Sequence, residues 1–116
     1  MLALHEQEPP VRDVVCFHGQ QCAEKYLKAL MEELGLVIPK THDLERLLAD
    51  LLPNHPSLKS VRRGAVFLSN FAVGLRYPGE NASKRQAAGA LRWTRRMRGL
   101  CRRLLGLPLP SAGGLQ

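Results

Sequence analysis

The chain is poor in aromatic residues: one Trp, two Tyr and three Phe stand among 116 residues. β-Branched residues are also few, while Leu and Ala dominate, and these biases favour helices over strands. No stretch approaches the ~20 consecutive apolar residues of a membrane-spanning helix, so no membrane partner is expected. The opening segment MLALHEQEPP carries acid and no basic n-region, which argues against a signal peptide. Cysteine is limited to Cys16, Cys22 and Cys101, an odd number without framework spacing. Reduced thiols in a cytoplasmic protein are the expectation. Most informative is the absence of acid late in the chain. Residues 81–116 hold eight Lys or Arg and no Asp or Glu, whereas residues 1–80 hold nine basic and ten acidic residues. The formal charge of +7 therefore resides in the C-terminal segment. It points to an acidic partner, either nucleic acid or an acidic protein face.

A chain of this length suits one domain with a single core, here residues 1–106. The remainder, LPLPSAGGLQ at 107–116, is Pro- and Gly-rich and reads as a flexible tail. A short helical fragment, MLALHE, ends at Pro9-Pro10. A long helix is predicted over 11–34, with proline before its first turn and Gly35 after its last. Val15, Gly19, Cys22, Ala23, Tyr26, Leu27, Ala29, Leu30 and Leu34 cover a wide arc of its wheel. His18, Gln21, Glu24, Lys25, Lys28 and Glu32 share the rest. So wide an apolar arc belongs to a central helix with several neighbours. Pro39 then breaks the chain, and Thr41 is the expected N-cap of a helix whose stripe is Leu44, Leu47, Leu48, Leu51 and Leu52. Pro53 stops it. A third main helix is predicted over 57–75 and a last one over 82–105. The last is two-faced: Trp93, Met97, Leu100, Cys101 and Leu104 oppose Arg92, Arg95, Arg96, Arg98, Arg102 and Arg103. The expected fold is all-α, an antiparallel, up-and-down bundle of four to five helices.

Three segments, in order, carry a family resemblance: FHGQQCAEKYLKAL at 17–30, KTHDL at 40–44 and FAVGLRYPG at 71–79. Together they resemble the HEPN domain family, small helical-bundle proteins, over roughly residues 11–105. The resemblance implies a first helix before the long one, so that helix is expected to be truncated here and a partner or dimer mate to cover the long helix. It further implies a homodimer, and pairing with a minimal nucleotidyltransferase in a toxin–antitoxin-like system. Some members cleave RNA without metal, using an arginine and a histidine separated by four to six residues. Others bind nucleotides or act as accessory subunits. Arg76 matches the position of that arginine, but Asn81, Ala82 and Ser83 stand where the histidine would be. Phe71 and Gly74 replace a tyrosine and a glutamate that the family often carries.

Two readings of the polar residues follow. In the plain one, Glu24 and Lys28 form an i,i+4 ion pair, the glutamines bridge helices, Asp43 favours the dipole of its helix, and His42 hydrogen-bonds Glu24 or a carbonyl. In the functional one, Gln21, Glu24, Lys25, Lys28, His42, Asp43, Arg76 and Tyr77 border a nucleotide pocket. The lysines and Arg76 would meet phosphate, and Tyr77 would stack on a base. Arg12 and His18 satisfy the ribonuclease spacing at the opposite end of the bundle and stand with Arg76 as weak catalytic candidates. His18 and Cys22 are half of a zinc pattern with no second half, so no metal is expected and no cofactor beyond a bound nucleotide. Six uncompensated arginines on one face strain the reading of a merely solvated surface. Trp93 lies on the apolar side, so RNA binding there would run through the backbone phosphates. The favoured reading is a binding or accessory module. The alternatives are a metal-independent RNA endonuclease toxin and a truncated, inactive family member.

Overall fold

The computed structural model describes residues 9–72 and 81–108. The fragment MLALHE, residues 73–80 with Arg76 and Tyr77, and residues 109–116 of the tail lie outside the described residues. Four α-helices occur among those described: α1 (Pro9–Glu33), α2 (Leu44–Leu51), α3 (Arg62–Ser69) and α4 (Lys84–Leu104), with a 3-10 segment at Pro56–Val61 before α3. No strand is present among them, so the protein is an all-α bundle. None of these helices is long and apolar enough to cross a membrane.

Each end of the long helices has a local cause. Gly35 and Gly106 take φ of 73° and 75°, the left-handed conformation that glycine adopts without Cβ strain. Leu36 N–H then returns to Met31 O, and Leu107 N–H to Arg102 O, closing both helices with the same motif. α4 opens with a capping box. Ser83 Oγ accepts from Gln86 N–H, and Gln86 Oε1 accepts from Ser83 N–H. Just before it, Ala82 is clamped to α1: its N–H donates to Asp13 Oδ1 at 2.6 Å, and its carbonyl accepts from Arg12 Nε at 2.9 Å.

Two sequence-based boundaries move. The N-cap of α2 is Asp43, whose carboxylate accepts from Glu45 N–H; Thr41 Oγ1 instead accepts from Asp43 N–H in the preceding turn. The Gln20 amide of α1 donates to the His42 carbonyl and tethers this turn ahead of the helix. The predicted 57–75 helix starts as a 3-10 turn behind Pro56, and α3 ends at Ser69 in i→i+3 turns at Asn70, Phe71 and Ala72. Ser69 Oγ accepts from Leu44 N–H and so ties the end of α3 to the start of α2.

The most extensive packing is between α1 and α4. Ala82 meets Arg12 and Asp13, a Cβ on Gly19 would strike Thr94, and Tyr26 Oη accepts from Arg102 Nη1 at 3.0 Å. The two helices therefore run parallel, where a strict up-and-down order would alternate. The 34–43 segment brings the chain back beside the middle of α1, where His42 meets Gln20 and Glu24, and α2 and α3 leave and return to that level, Ser69 meeting Leu44. Leu27, Leu30, Met31, Leu44, Leu47, Leu48, Leu51, Leu58, Leu68 and Met97 are fully buried. Each such side chain contributes roughly 1.5–3 kcal/mol relative to exposure. Gly64 of α3 leaves room for the Trp93 ring of α4, which any Cβ there would strike.

Candidate functional site

The polar centre of the molecule is built on Glu24. Sequence reasoning places this residue on the solvated arc of α1; in the structure it is only 8% exposed. Its Oε1 accepts from the Gln20 amide at 3.0 Å and lies 2.9 Å from His42 Nδ1, and its Oε2 accepts from Lys28 Nζ at 2.9 Å. An ionised carboxylate only accepts, so His42 donates to it through Nδ1–H. Burial pushes the Glu24 carboxyl upward, but the bonds from His42, Lys28 and Gln20 and the Lys28 charge outweigh it and hold the group below the usual carboxylate range.

Gln20 is the residue that sequence reasoning missed. It is fully buried, donates to both Glu24 Oε1 and the His42 carbonyl, and accepts from Gln21 Nε2 at 2.8 Å. Its place four residues before Glu24 was the available signal, since i,i+4 neighbours share a helix face. Gln21 and Lys25 lie further round α1, and Lys25 is exposed.

The Glu24 cluster fixes the 40–43 segment against α1. Beyond it lies an open depression of about 580 Å³, lined by Lys40 to Asp43, Glu45, Val66, Ser69, Asn70 and Ala72. Its wall is mixed: a lysine, an imidazole, an amide, two hydroxyls and the Asp43 and Glu45 carboxylates on one hand, and the side chains of Val66 and Ala72 on the other. The Glu45 carboxylate is engaged by Arg62 Nη2 at 2.8 Å. Of the sequence-derived pocket residues, the structure brings Glu24, Lys28, His42 and Asp43 to this end of the cluster. Arg76 and Tyr77 lie outside the described residues.

Arg12 and His18 do not converge. Six residues apart on one helix, they are separated by about 9 Å along its axis and roughly 120° around it, and Arg12 holds the Ala82 carbonyl while His18 is exposed. Among the described residues no group of three His, Cys, Asp or Glu is placed to hold a metal ion. The arginine face of α4 is also less uniform than its wheel suggests. Arg102 donates to Tyr26 Oη and to the Pro108 carbonyl, and Arg98 is half-buried in a seam beside Cys22. Arg92, Arg95, Arg96 and Arg103 remain exposed, with the Arg96 guanidinium 4.8 Å above the Trp93 ring. Burial raises the Cys22 thiol, with Arg98 and Lys25 opposing it, and pushes Cys101 up to about 12.

A family model for the HEPN domain matches residues 4–104, most of the chain. The chain belongs to the HEPN domain family. No curated protein and no solved structure matches it. Within this HEPN domain, the 17–30 segment is α1 around the Glu24 cluster, and the 40–44 segment is the tethered loop and first residue of α2.

Proposed function

We propose that this HEPN protein is a cytoplasmic, non-catalytic accessory module that binds a nucleotide in the depression beside Lys40–Asp43. It acts as a homodimer next to a minimal nucleotidyltransferase in a toxin–antitoxin-like pair. The observation that carries the reading is the anchoring of the 40–43 loop by Gln20 and Glu24 at the rim of an open, mixed-polarity depression. Such anchoring holds Lys40 and His42 in place before any ligand arrives, which lowers the ordering cost of binding. Lys40 supplies a point charge for phosphate, His42 Nε2 and the Asn70 amide offer hydrogen bonds, and Val66 with Ala72 gives a base an apolar contact.

The test is calorimetric titration of the purified protein with a panel of mono-, di- and triphosphate nucleotides. Lys40→Ala is expected to weaken binding about tenfold, the loss of one charge-assisted contact, and His42→Ala to weaken it similarly. Absence of binding by any nucleotide overturns the ligand. Metal-free incubation with total tRNA tests the non-catalytic reading separately. Cleavage by wild type that disappears in Arg76→Ala, Arg12→Ala or His18→Ala would make the protein a ribonuclease.

A further inference from the structure

α4 contains a glycine with no packing reason to be there. Gly19, Gly64 and Gly89 each face a neighbour that a side chain would strike or crowd, whereas a Cβ on Gly99 meets nothing within 4 Å. Glycine in a helix interior is destabilising relative to alanine, so Gly99 weakens α4 with no steric return. What it leaves is space. Gly99 and Leu100 line a depression of about 270 Å³ together with Arg95, Arg96 and Arg103 of α4 and Ser60 and Val61 of the 3-10 segment. No carboxylate lines it. Among the described residues, the Arg95 and Arg103 side chains make no hydrogen bond or ion pair, and the Arg96 side chain only stacks on Trp93.

We infer that this notch is a binding site for an oligophosphate group, the di- or triphosphate of a nucleotide or of an RNA 5′ end. Three guanidinium groups within about 12 Å of helix repel one another until an anion neutralises them. Each offers planar donors matched to phosphate oxygens. The Ser60 hydroxyl hydrogen is committed to the Ser57 carbonyl at 2.9 Å, so the arginines are the donors. The missing side chain at Gly99 leaves room between them for one compact anion, which suits clustered charge better than a phosphodiester chain lying along the helix. The notch shares no lining residue with the Lys40–Asp43 depression, and the inference does not depend on a nucleotide binding there.

The single tryptophan supplies the readout. Tripolyphosphate is titrated into the full-length protein at fixed ionic strength while Trp93 fluorescence is followed, since Arg96 stacks on that ring. A saturable change is expected. Arg95→Gln and Arg103→Gln should each weaken it about tenfold, and Gly99→Leu should abolish it with helical circular dichroism retained. Gly99→Ala should raise the melting temperature while weakening binding, which separates the notch from a fold defect. Lys40→Ala and His42→Ala should leave the fluorescence titration unchanged. Tighter binding of a 5′-triphosphorylated RNA than of its 5′-hydroxyl counterpart assigns the group to RNA ends. Equal binding of the two RNAs, with tripolyphosphate still bound, assigns it to free nucleotides. Wild-type affinity in Gly99→Leu, or displacement of tripolyphosphate by equal charge equivalents of sulfate or polyglutamate, overturns the proposal.

Discussion

Replacing Glu24 by Gln removes one charge from the centre of the molecule and keeps its shape. The carboxylate accepts from Gln20, His42 and Lys28 at 2.9–3.0 Å. A glutamine retains one accepting oxygen but turns an NH2 group toward a donor. Hydrogen bonds to a charged group contribute about 1.5–3 kcal/mol each. The Lys28 and His42 side chains are 25% and 60% exposed and recover part of that from water. Only Gln20 is wholly buried, and it keeps its bond to the His42 carbonyl. The expected cost of Glu24→Gln is therefore about 2 kcal/mol at pH 7, or a fall of about 8 °C in melting temperature for a chain of this size. The pH dependence is specific. Because the folded carboxyl titrates below its unfolded value, its stabilisation is complete above the ordinary glutamate range of about 4.3 and is lost as pH falls through the lower folded value. Wild type and variant should converge in acid. Urea unfolding followed by circular dichroism at pH 7 and again near pH 3 measures both. An equal deficit at the two pH values, or none at pH 7, refutes the view that an ionised Glu24 holds the loop.

Three further outcomes are expected. Gly64→Ala drives a methyl group into the Trp93 ring and should destabilise by about 2 kcal/mol, with a changed Trp93 emission spectrum. Ser83→Ala removes the acceptor for Gln86 N–H and should cost about 1 kcal/mol, with faster hydrogen exchange at that amide. Cys101, buried and pushed up to about 12, should resist alkylation at pH 8 in the native protein and react once urea unfolds it. The same shift lets the unfolded chain ionise first, so stability should decline as pH climbs from about 9, the thiol's ordinary range, toward 12.

The helices and their apolar stripes are legible in the sequence because period and caps are local. Leu44, Leu47, Leu48 and Leu51 line the core as their spacing predicts, and Gly35 ends α1 in the left-handed conformation expected of it. The failures occur where a distant group decides. Thr41 is a good N-cap in isolation, but Gln20 tethers the next residue's carbonyl in the turn ahead of the helix, and the cap is Asp43. Glu24 falls on a polar arc of the wheel, yet the 40–43 loop folds over it and buries it. The six arginines of α4 share an arc, but α1 lies close enough to engage Arg102 through the Tyr26 hydroxyl. None of these partners is within reach of a helical wheel, which contains no second helix.

The parallel pairing of α1 with α4 fixes when the core can close. Their contacts join residues about 70 positions apart, Arg12 to Ala82 and Tyr26 to Arg102. A chain emerging from the ribosome therefore holds α1 with one flank uncovered through all of α2 and α3. Helical proteins usually assemble from neighbours in sequence and do so quickly; this one must wait for a helix synthesised long after the first. Until residues 84–104 emerge, the flank of α1 around Gly19 lacks its mate, and the nascent chain is most exposed to misassociation during that interval.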